Sequence, residues 1–330
     1  MRCMINNNNI PLISIVILNY NGLNYLKETI PLIKNINYKN FEIIVVDNGS
    51  SDGSVDFLNQ LGQINVIKNK TNLGYGAGKN IGVDAAKGEY ILMIDNDIVI
   101  KNRFILNNLL SVWNKNIGFI QVPLLDHGTS TTKYYGIFFS LYGANSHQKS
   151  INIKHILSFK ERTIDIGAPT GACMFFHKSF WTSMGGFDES QPFNIDDIDI
   201  GPRAWICGFK NVLYTKDFFV HLGVNKTNSV NAYSDRFKFV FSGHARTMIK
   251  NYNIMNLSFR FPFFFIFQFL KAVKYSFKKG NIKVFLAFLN SIILFITNLK
   301  DTMGERRFIQ SKRIIKRDVF LNIYPPKFHD

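Results

Sequence analysis

The triplet Asp95-Asn96-Asp97 closes the apolar run Tyr90-Ile91-Leu92-Met93-Ile94, so two carboxylates emerge where a buried strand ends. Side chains two apart on a strand share a face, which lets Asp95 and Asp97 converge on one hard cation completed by phosphate oxygens. A surface turn is the other reading, because Asp and Asn are ordinary turn residues. A second acidic group, Asp196-Asp197-Ile198-Asp199, precedes Gly201-Pro202-Arg203-Ala204-Trp205-Ile206-Cys207-Gly208, which reads as a short helix with Pro near its start and Gly at its end. Carboxylates facing a helix N-terminus are favoured in the ionised form, which suits a general base, although N-capping alone would also place them there. Asp199 and Arg203 stand four apart and read as a supporting ion pair.

These groups need a scaffold. Ile13-Ser14-Ile15-Val16-Ile17-Leu18 runs into Asn19-Tyr20-Asn21-Gly22, and Phe41-Glu42-Ile43-Ile44-Val45-Val46 runs into Asp47-Asn48-Gly49. Between them Tyr25 to Ile36 reads as a helix, and strands alternating with helices predict a parallel α/β sheet. Ligands of such sheets bind at the carboxyl ends of the strands, where Asn19, Asp47 and Asp95 fall. The segment Gly74-Tyr75-Gly76-Ala77-Gly78-Lys79-Asn80 invites a phosphate-loop reading but lacks the required spacing and the Ser or Thr after Lys. A glycine-rich turn capping a helix that starts near Gly78 explains it equally well. His221 follows the strand-like Phe218-Phe219-Val220, and a lone His in such a setting is usually just packed.

Six segments in order resemble the family 2 glycosyltransferases, over roughly residues 11 to 225: Ile-Val-Ile-Leu-Asn-Tyr-Asn at 15–21, Val-Asp-Asn-Gly-Ser-Ser-Asp-Gly-Ser at 46–54, Asn-Leu-Gly-Tyr-Gly-Ala-Gly-Lys-Asn-Ile-Gly at 72–82, the Asp-Asn-Asp triplet, Gly-Gly-Phe-Asp-Glu at 185–189 and Asp-Asp-Ile-Asp-Ile-Gly-Pro-Arg at 196–203. The likeness is greatest to rhamnosyltransferase-like members that build surface polysaccharides. It implies an α/β fold of GT-A type, a mixed, mainly parallel nucleotide-sugar-binding sheet flanked by helices. By the same resemblance Asn19 and Tyr20 lie beside the nucleotide, Asp47 hydrogen-bonds the pyrimidine, and Asp95 meets the ribose and metal region. Asp97 and His221 are the implied ligands of a divalent metal, Mn or Mg. Asp197 aligns with the catalytic base, and Asp196 stands where the family usually has Glu. Gly74 and Lys79 fall on the donor side; the usual Arg is replaced by Lys79, which keeps the charge but not the fork geometry. Thr170, Gly171, Asp188 and Arg203 fall in the region that meets acceptor and donor sugar, with Glu189 beside them.

Composition narrows the partners. The cysteines Cys3, Cys173 and Cys207 show no ligand spacing, so neither a disulfide framework nor a zinc site is expected. Residues 1–10 carry no apolar stretch, so no cleavable signal peptide is expected and the catalytic domain should stay in the cytoplasm. The formal charge of +16 calls for anionic partners, yet much of it lies after residue 245 and accompanies no nucleic-acid-binding motif. Two strongly apolar runs there, Phe259 to Phe267 and Val284 to Ile296, are shorter than the roughly 20 residues that span a bilayer and have Lys and Arg borders. They suit peripheral attachment to an anionic surface at the cytoplasmic face of the cell membrane; a helical hairpin packed on the main domain is the alternative. The expected organisation is an N-terminal tail over 1–10, the catalytic domain over 11–250, and a C-terminal helical, membrane-attaching region over 251–330.

The expected activity is inverting, metal-dependent transfer of a sugar from a nucleotide-diphosphate donor to a glycan or lipid-linked acceptor. A processive polymer synthase is a second reading, but Gly201-Pro202-Arg203-Ala204-Trp205 does not supply its usual Gln-x-x-Arg-Trp segment. A non-catalytic sugar-nucleotide-binding scaffold is a third, weakened by the presence of both Asp97 and Asp197.

Overall fold

The computed structural model describes residues 10–145, 149–190, 195–223 and 230–326. The N-terminal tail expected over 1–10 lies outside them except for Ile10. β1 (Ile13–Asn19), β2 (Phe41–Asp47), β3 (Asn65–Lys68) and β4 (Tyr90–Asp95) are joined by α1 (Leu23–Lys34), α2 (Ser54–Leu61) and α3 (Tyr75–Ala85). The strands pair in parallel, with β1 between β2 and β4 and with β3 outside β2. Ile13 through Ile17 are all fully buried, as a strand covered on both faces requires.

After β4 come β5 (Ile98–Val99), α4 (Ile105–Val112), β6 (Ile117–Gln121) and β7 (Leu124–Asp126). Short pairs follow, β8 (Thr131–Thr132) with β11 (Ile151–Asn152) and β9 (Phe138–Ser140) with β10 (Gly143–Asn145), then α5 (Ile153–Leu157) and β12 (Thr163–Asp165). β13 (Cys173–His177), α6 (Lys178–Met184), α7 (Asp196–Ile206), β14 (Lys210–Tyr214) and β15 (Phe219–His221) complete this part. β13 runs antiparallel to both β4 and β6, which gives an eight-stranded sheet in the order β12-β14-β6-β13-β4-β1-β2-β3. The mixed, mainly parallel sheet expected from sequence is the one observed. A small second sheet sets β15 antiparallel to β5, with His221 opposite Ile98, and so brings the end of β15 to the Asp-Asn-Asp turn.

The C-terminal helices are α8 (Val230–Asn251), α9 (Ile254–Lys279), α10 (Lys283–Thr297) and α11 (Leu299–Ser311). The helical region therefore begins at Val230 rather than at 251. Nor is it an appendage: Phe264, Phe288, Ile309 and Phe320 lie in the same buried apolar cluster as Val16, Ile44 and Phe176. The Ile314 and Ile315 N–H groups both donate to the Ile206 carbonyl at the end of α7, at 2.9 Å each. Apolar side chains on the inner faces of these helices leave water against the sheet-bearing part of the chain, which is why the composition change at Leu257 does not mark a structural break.

Candidate active site

β4 stops at Asp95, and Asn96-Asp97 turn toward β5, so the two carboxylates do not stay on one strand face as the alternation predicted. Asp97 turns to His221, with Oδ2 lying 3.2 Å from His221 Nε2. The Leu222 N–H donates to the Asp97 carbonyl at 2.9 Å and ties the two segments together. A Cβ at Gly223 would come within 2.1 Å of Asp97 Oδ2, so this close approach requires glycine. Burial alone would lower the His221 pKa, but the hydrogen bond and charge of Asp97, with the charges of Asp95 and Asp126, raise it overall. Asp97 Oδ1 and His221 Nδ1 are buried without a hydrogen-bond partner. An orphaned carboxylate oxygen beside an imidazole fits a divalent cation. Among the described residues no group of three or more His, Cys, Asp or Glu gathers to hold a metal, so Asp97 and His221 would be the protein side of such a site, and a bound cation would need oxygens from elsewhere for its remaining positions.

Asp95 turns the other way. Its Oδ1 lies 2.6 Å from Lys79 Nζ and accepts a hydrogen bond from the Tyr75 hydroxyl at 2.9 Å. Lys79 is fully buried, also donates to the Gly171 carbonyl at 3.1 Å, and sits 4.8 Å from the Tyr75 ring centre. α3 starts at Tyr75, three residues before the expected Gly78, and Lys79 shares its sheet-facing side with Val83, one turn on. The ammonium expected to reach the donor is thus turned inward to offset the Asp95 charge. Tyr75, whose part sequence reasoning missed, carries its hydroxyl among Asp95, Asp196 and Asp197; burial, then those charges, raise its pKa well above the ordinary phenol value and keep it a neutral donor.

Asn19 and Asp47 are also buried. Asn19 donates to Asp47 Oδ2 at 2.9 Å and accepts from Asn96 Nδ2 at 2.6 Å, while Asp47 Oδ1 accepts the Ser50 N–H at 2.9 Å. Both brace the strand ends and the loop after β2 instead of presenting free groups to a nucleotide. Of the residues expected beside it, Tyr20 at 51% exposure and the Asp95 side chain at 24% meet solvent. Gly74 caps α3 at φ +95°, and its carbonyl accepts Asn48 Nδ2 at 2.9 Å.

α7 starts at Asp196 and not near Gly201, so the whole acidic group enters its first turn and Pro202 lies inside the helix. Asp196 is 3% exposed with Oδ2 unpartnered, and it lies so close to α3 that a Cβ at Gly76 would come within 2.7 Å of Oδ1. Asp197 is half-buried; its Oδ2 accepts the Gly171 N–H at 2.9 Å and its Oδ1 the Ile198 N–H at 2.8 Å. Burial outweighs the helix terminus at both. Asp196 is pushed up to about 8 by burial and then by the Asp197 charge. Asp197 is pushed up to about 6 by burial, against the opposing hydrogen bonds from Gly171 and Ile198. Of the two, Asp197 has solvent access and ionises first. Gly171 joins the halves of the site, its carbonyl on Lys79 and its N–H on Asp197, and the neighbouring Thr170 N–H is held by Gln121 Oε1 at 2.9 Å.

Asp188 and Arg203, expected in the sugar region, both have their side chains paired within the protein. Asp188 Oδ2 accepts from Arg246 Nε at 2.8 Å and Lys250 Nζ at 2.5 Å. Burial acts against its ionisation, but Lys250 and Arg246 hold its carboxyl well below the usual carboxylate range. Arg203 pairs with Asp199, as the four-residue spacing predicted, and donates to the Met184 and Gly186 carbonyls at 3.0 and 2.8 Å. Lys250 bridges to Asp199 at 2.7 Å. Lys250 and Arg246 come from α8, and no local spacing marks them as partners of Asp188 and Asp199. Glu189 accepts from Asn80 Nδ2 at 3.0 Å. Lys250→Met leaves two buried carboxylates short of a cation, and breaking a buried pair costs about 3–5 kcal/mol. A urea midpoint equal to that of the parent would rule out this network as a fastening for α7.

The family model that matches residues 14–183 is that of glycosyl transferase family 2. That stretch is just over half of the 330 residues, and the chain belongs to this family. An uncharacterized glycosyltransferase of Haemophilus influenzae is 35% identical over 125 residues, 34% of this chain and 50% of the relative. Glycosyltransferase GlyG of Streptococcus pneumoniae is 33% identical over 128 residues, 38% of this chain and 42% of the relative. The chain thus spans half or less of the length of these relatives. Among solved structures, S. aureus TarS 1–349 in complex with UDP-GlcNAc matches with a TM-score of 0.60 at 14% identity, over 94% of this chain and 90% of that one. Mannosyltransferase PcManGT from Pyrobaculum calidifontis, solved with GDP-Man and Mn2+, matches at 0.56 and 14%, over 92% and 86%. At such identities the likeness concerns the fold, which is of GT-A type.

Proposed function

We propose that the chain is an inverting, metal-dependent glycosyltransferase that moves a sugar from a nucleotide-diphosphate donor, dTDP-rhamnose or a UDP-sugar, to a hydroxyl of a glycan or lipid-linked acceptor in surface polysaccharide synthesis. The observation that carries this reading is the run of contacts at the carboxyl edge of the sheet, in which Lys79 joins Asp95 to Gly171 and Gly171 joins Lys79 to Asp197. The Asp97–His221 pair lies at the other end of the Asp-Asn-Asp turn. Asp97 and His221 would hold a divalent Mn or Mg ion, which when bound neutralises charge on the departing diphosphate. Asp197 takes the acceptor proton as the acceptor oxygen bonds to the anomeric carbon and the diphosphate leaves with the electron pair of the broken bond. Tyr75 and the Gly171 N–H hold the two carboxylates in place. The reading includes peripheral attachment at the cytoplasmic face of the membrane.

Release of nucleotide from dTDP-rhamnose and from common UDP- and GDP-sugars, with and without Mn, tests the reading. A donor set that yields no metal-dependent release would favour the non-catalytic scaffold. The base also imposes a pH dependence. Because the Asp197 pKa is raised to about 6, the ionised base is present above that pH and is lost as pH falls through it. The logarithm of kcat/KM should rise with a slope of about one up to a pH near 6 and then level. A profile flat from about pH 4 to 7 would exclude Asp197 as the base.

A further inference from the structure

The peripheral attachment included in that reading needs a surface, and the hairpin of α9 and α10 provides one with its own signature. Its inner face is spent on the protein: Phe264, Ala272, Val284, Ala287, Phe288 and Ser291 are buried, and Ser291 Oγ accepts the Ser242 N–H at 2.8 Å. Its outer face is apolar at helical spacing in both helices. On α9 the stripe is Met255, Phe259, Phe263, Ile266, Leu270 and Phe277; leading into and along α10 it is Ile282, Leu286, Leu289, Ile293 and Ile296. All of these are exposed, from Leu289 at 39% to Phe277 at 83%. At the tip, Phe277, Ile282, Val273 and Phe285 line an apolar hollow of about 420 Å3. A soluble surface rarely leaves so long an apolar face uncovered.

Charge identifies what covers it. No Asp or Glu occurs between Asp235 and Asp301. Lys274, Lys278 and Lys283 are exposed around the tip, and Lys300 stands just beyond the far end of α10. A second copy packed against the same face would set Lys274, Lys278 and Lys283 against their own copies with no acid on either helix to pair them, whereas an anionic bilayer meets both the apolar stripes and the ammonium groups. Among the described residues no single helix is long and apolar enough to cross a membrane, and α10 with α11 reaches that composition only across a 60° bend. α10 also has its inner face committed to the core. We propose that the α9–α10 hairpin lies in the plane of an anionic bilayer, with its two apolar stripes among the acyl chains and Lys274, Lys278 and Lys283 among the phosphate headgroups.

The test is co-sedimentation of the full chain with vesicles of phosphatidylcholine alone and of phosphatidylcholine with phosphatidylglycerol. Binding should require the anionic lipid, weaken in high salt, and fall by on the order of a hundredfold when Lys274→Gln, Lys278→Gln and Lys283→Gln are combined. Phe259→Ser with Ile266→Ser and Ile293→Ser should abolish binding while leaving the urea midpoint within experimental error, since these side chains face outward. Equal binding to neutral vesicles, or concentration-dependent dimers without lipid that the same serine substitutions dissolve, would overturn the proposal. Retention in the membrane after alkaline carbonate would replace it with a span. Donor hydrolysis measured in detergent keeps the two readings separate: vesicle binding without hydrolysis defeats the enzymatic assignment, and hydrolysis without vesicle binding defeats this one.

Discussion

Asp97→Ala is expected to bring sugar transfer below detection and to remove the Mn dependence of nucleotide binding. The carboxylate stands at the turn after β4 with one oxygen on His221 and the other buried without a partner. A Lewis acid at the leaving group supplies several kcal/mol of transition-state stabilisation, and each 1.4 kcal/mol or so is a factor of ten in rate, so its loss removes on the order of a thousandfold or more. The fold should survive, because the Asp97 backbone, which holds Leu222, is unchanged. Isothermal titration with the nucleotide, with and without Mn, reads the effect apart from turnover. Retained Mn-dependent binding and turnover would remove Asp97 from the metal site.

Asp197→Asn should lower transfer by roughly two to four orders of magnitude with donor binding intact, the usual contribution of a positioned base. The amide keeps the shape and can still accept the Gly171 N–H, but it cannot take a proton. Asp196→Asn should be milder. Asp196 is sealed against α3 and, with a pKa near 8, holds its proton at neutral pH. Its Oδ1 is also a poor place for an acceptor hydroxyl, since a Cβ at Gly76 would come within 2.7 Å of it. If the two variants rank in the opposite order, Asp196 is the base and the motif is displaced by one residue.

Much of the frame was legible in the residues themselves. β-branched runs closed by Asn, Asp and Gly mark strand ends, and both properties are local, so β1, β2 and β4 fall where alternation and turn chemistry put them. The Asp199–Arg203 pair was legible for the same reason, being one helical turn apart. Register across the small sheet was not local, yet the family likeness named Asp97 and His221, and the pairing of β15 with β5 brings them together.

Direction and environment belonged to the tertiary structure. Lys79, Asp47, Asp188 and Arg203 have the residue types of ligand contacts, but each is turned into the protein by a partner distant in sequence: Asp95 and Gly171 for Lys79, Asn19 for Asp47, Lys250 for Asp188, and the carbonyls of Met184 and Gly186 for Arg203. The acids of α7 show the same limit. A helix N-terminus favours their charge by about 0.3–1 kcal/mol, whereas removal from water acts more strongly in the opposite direction, and burial there depends on how α3 and the Gly171 turn close over them. The sequence by itself determined which chemistry was available and at which edge of the sheet; packing decided which of those groups face a substrate, because burial and pairing arise from residues that no local spacing connects.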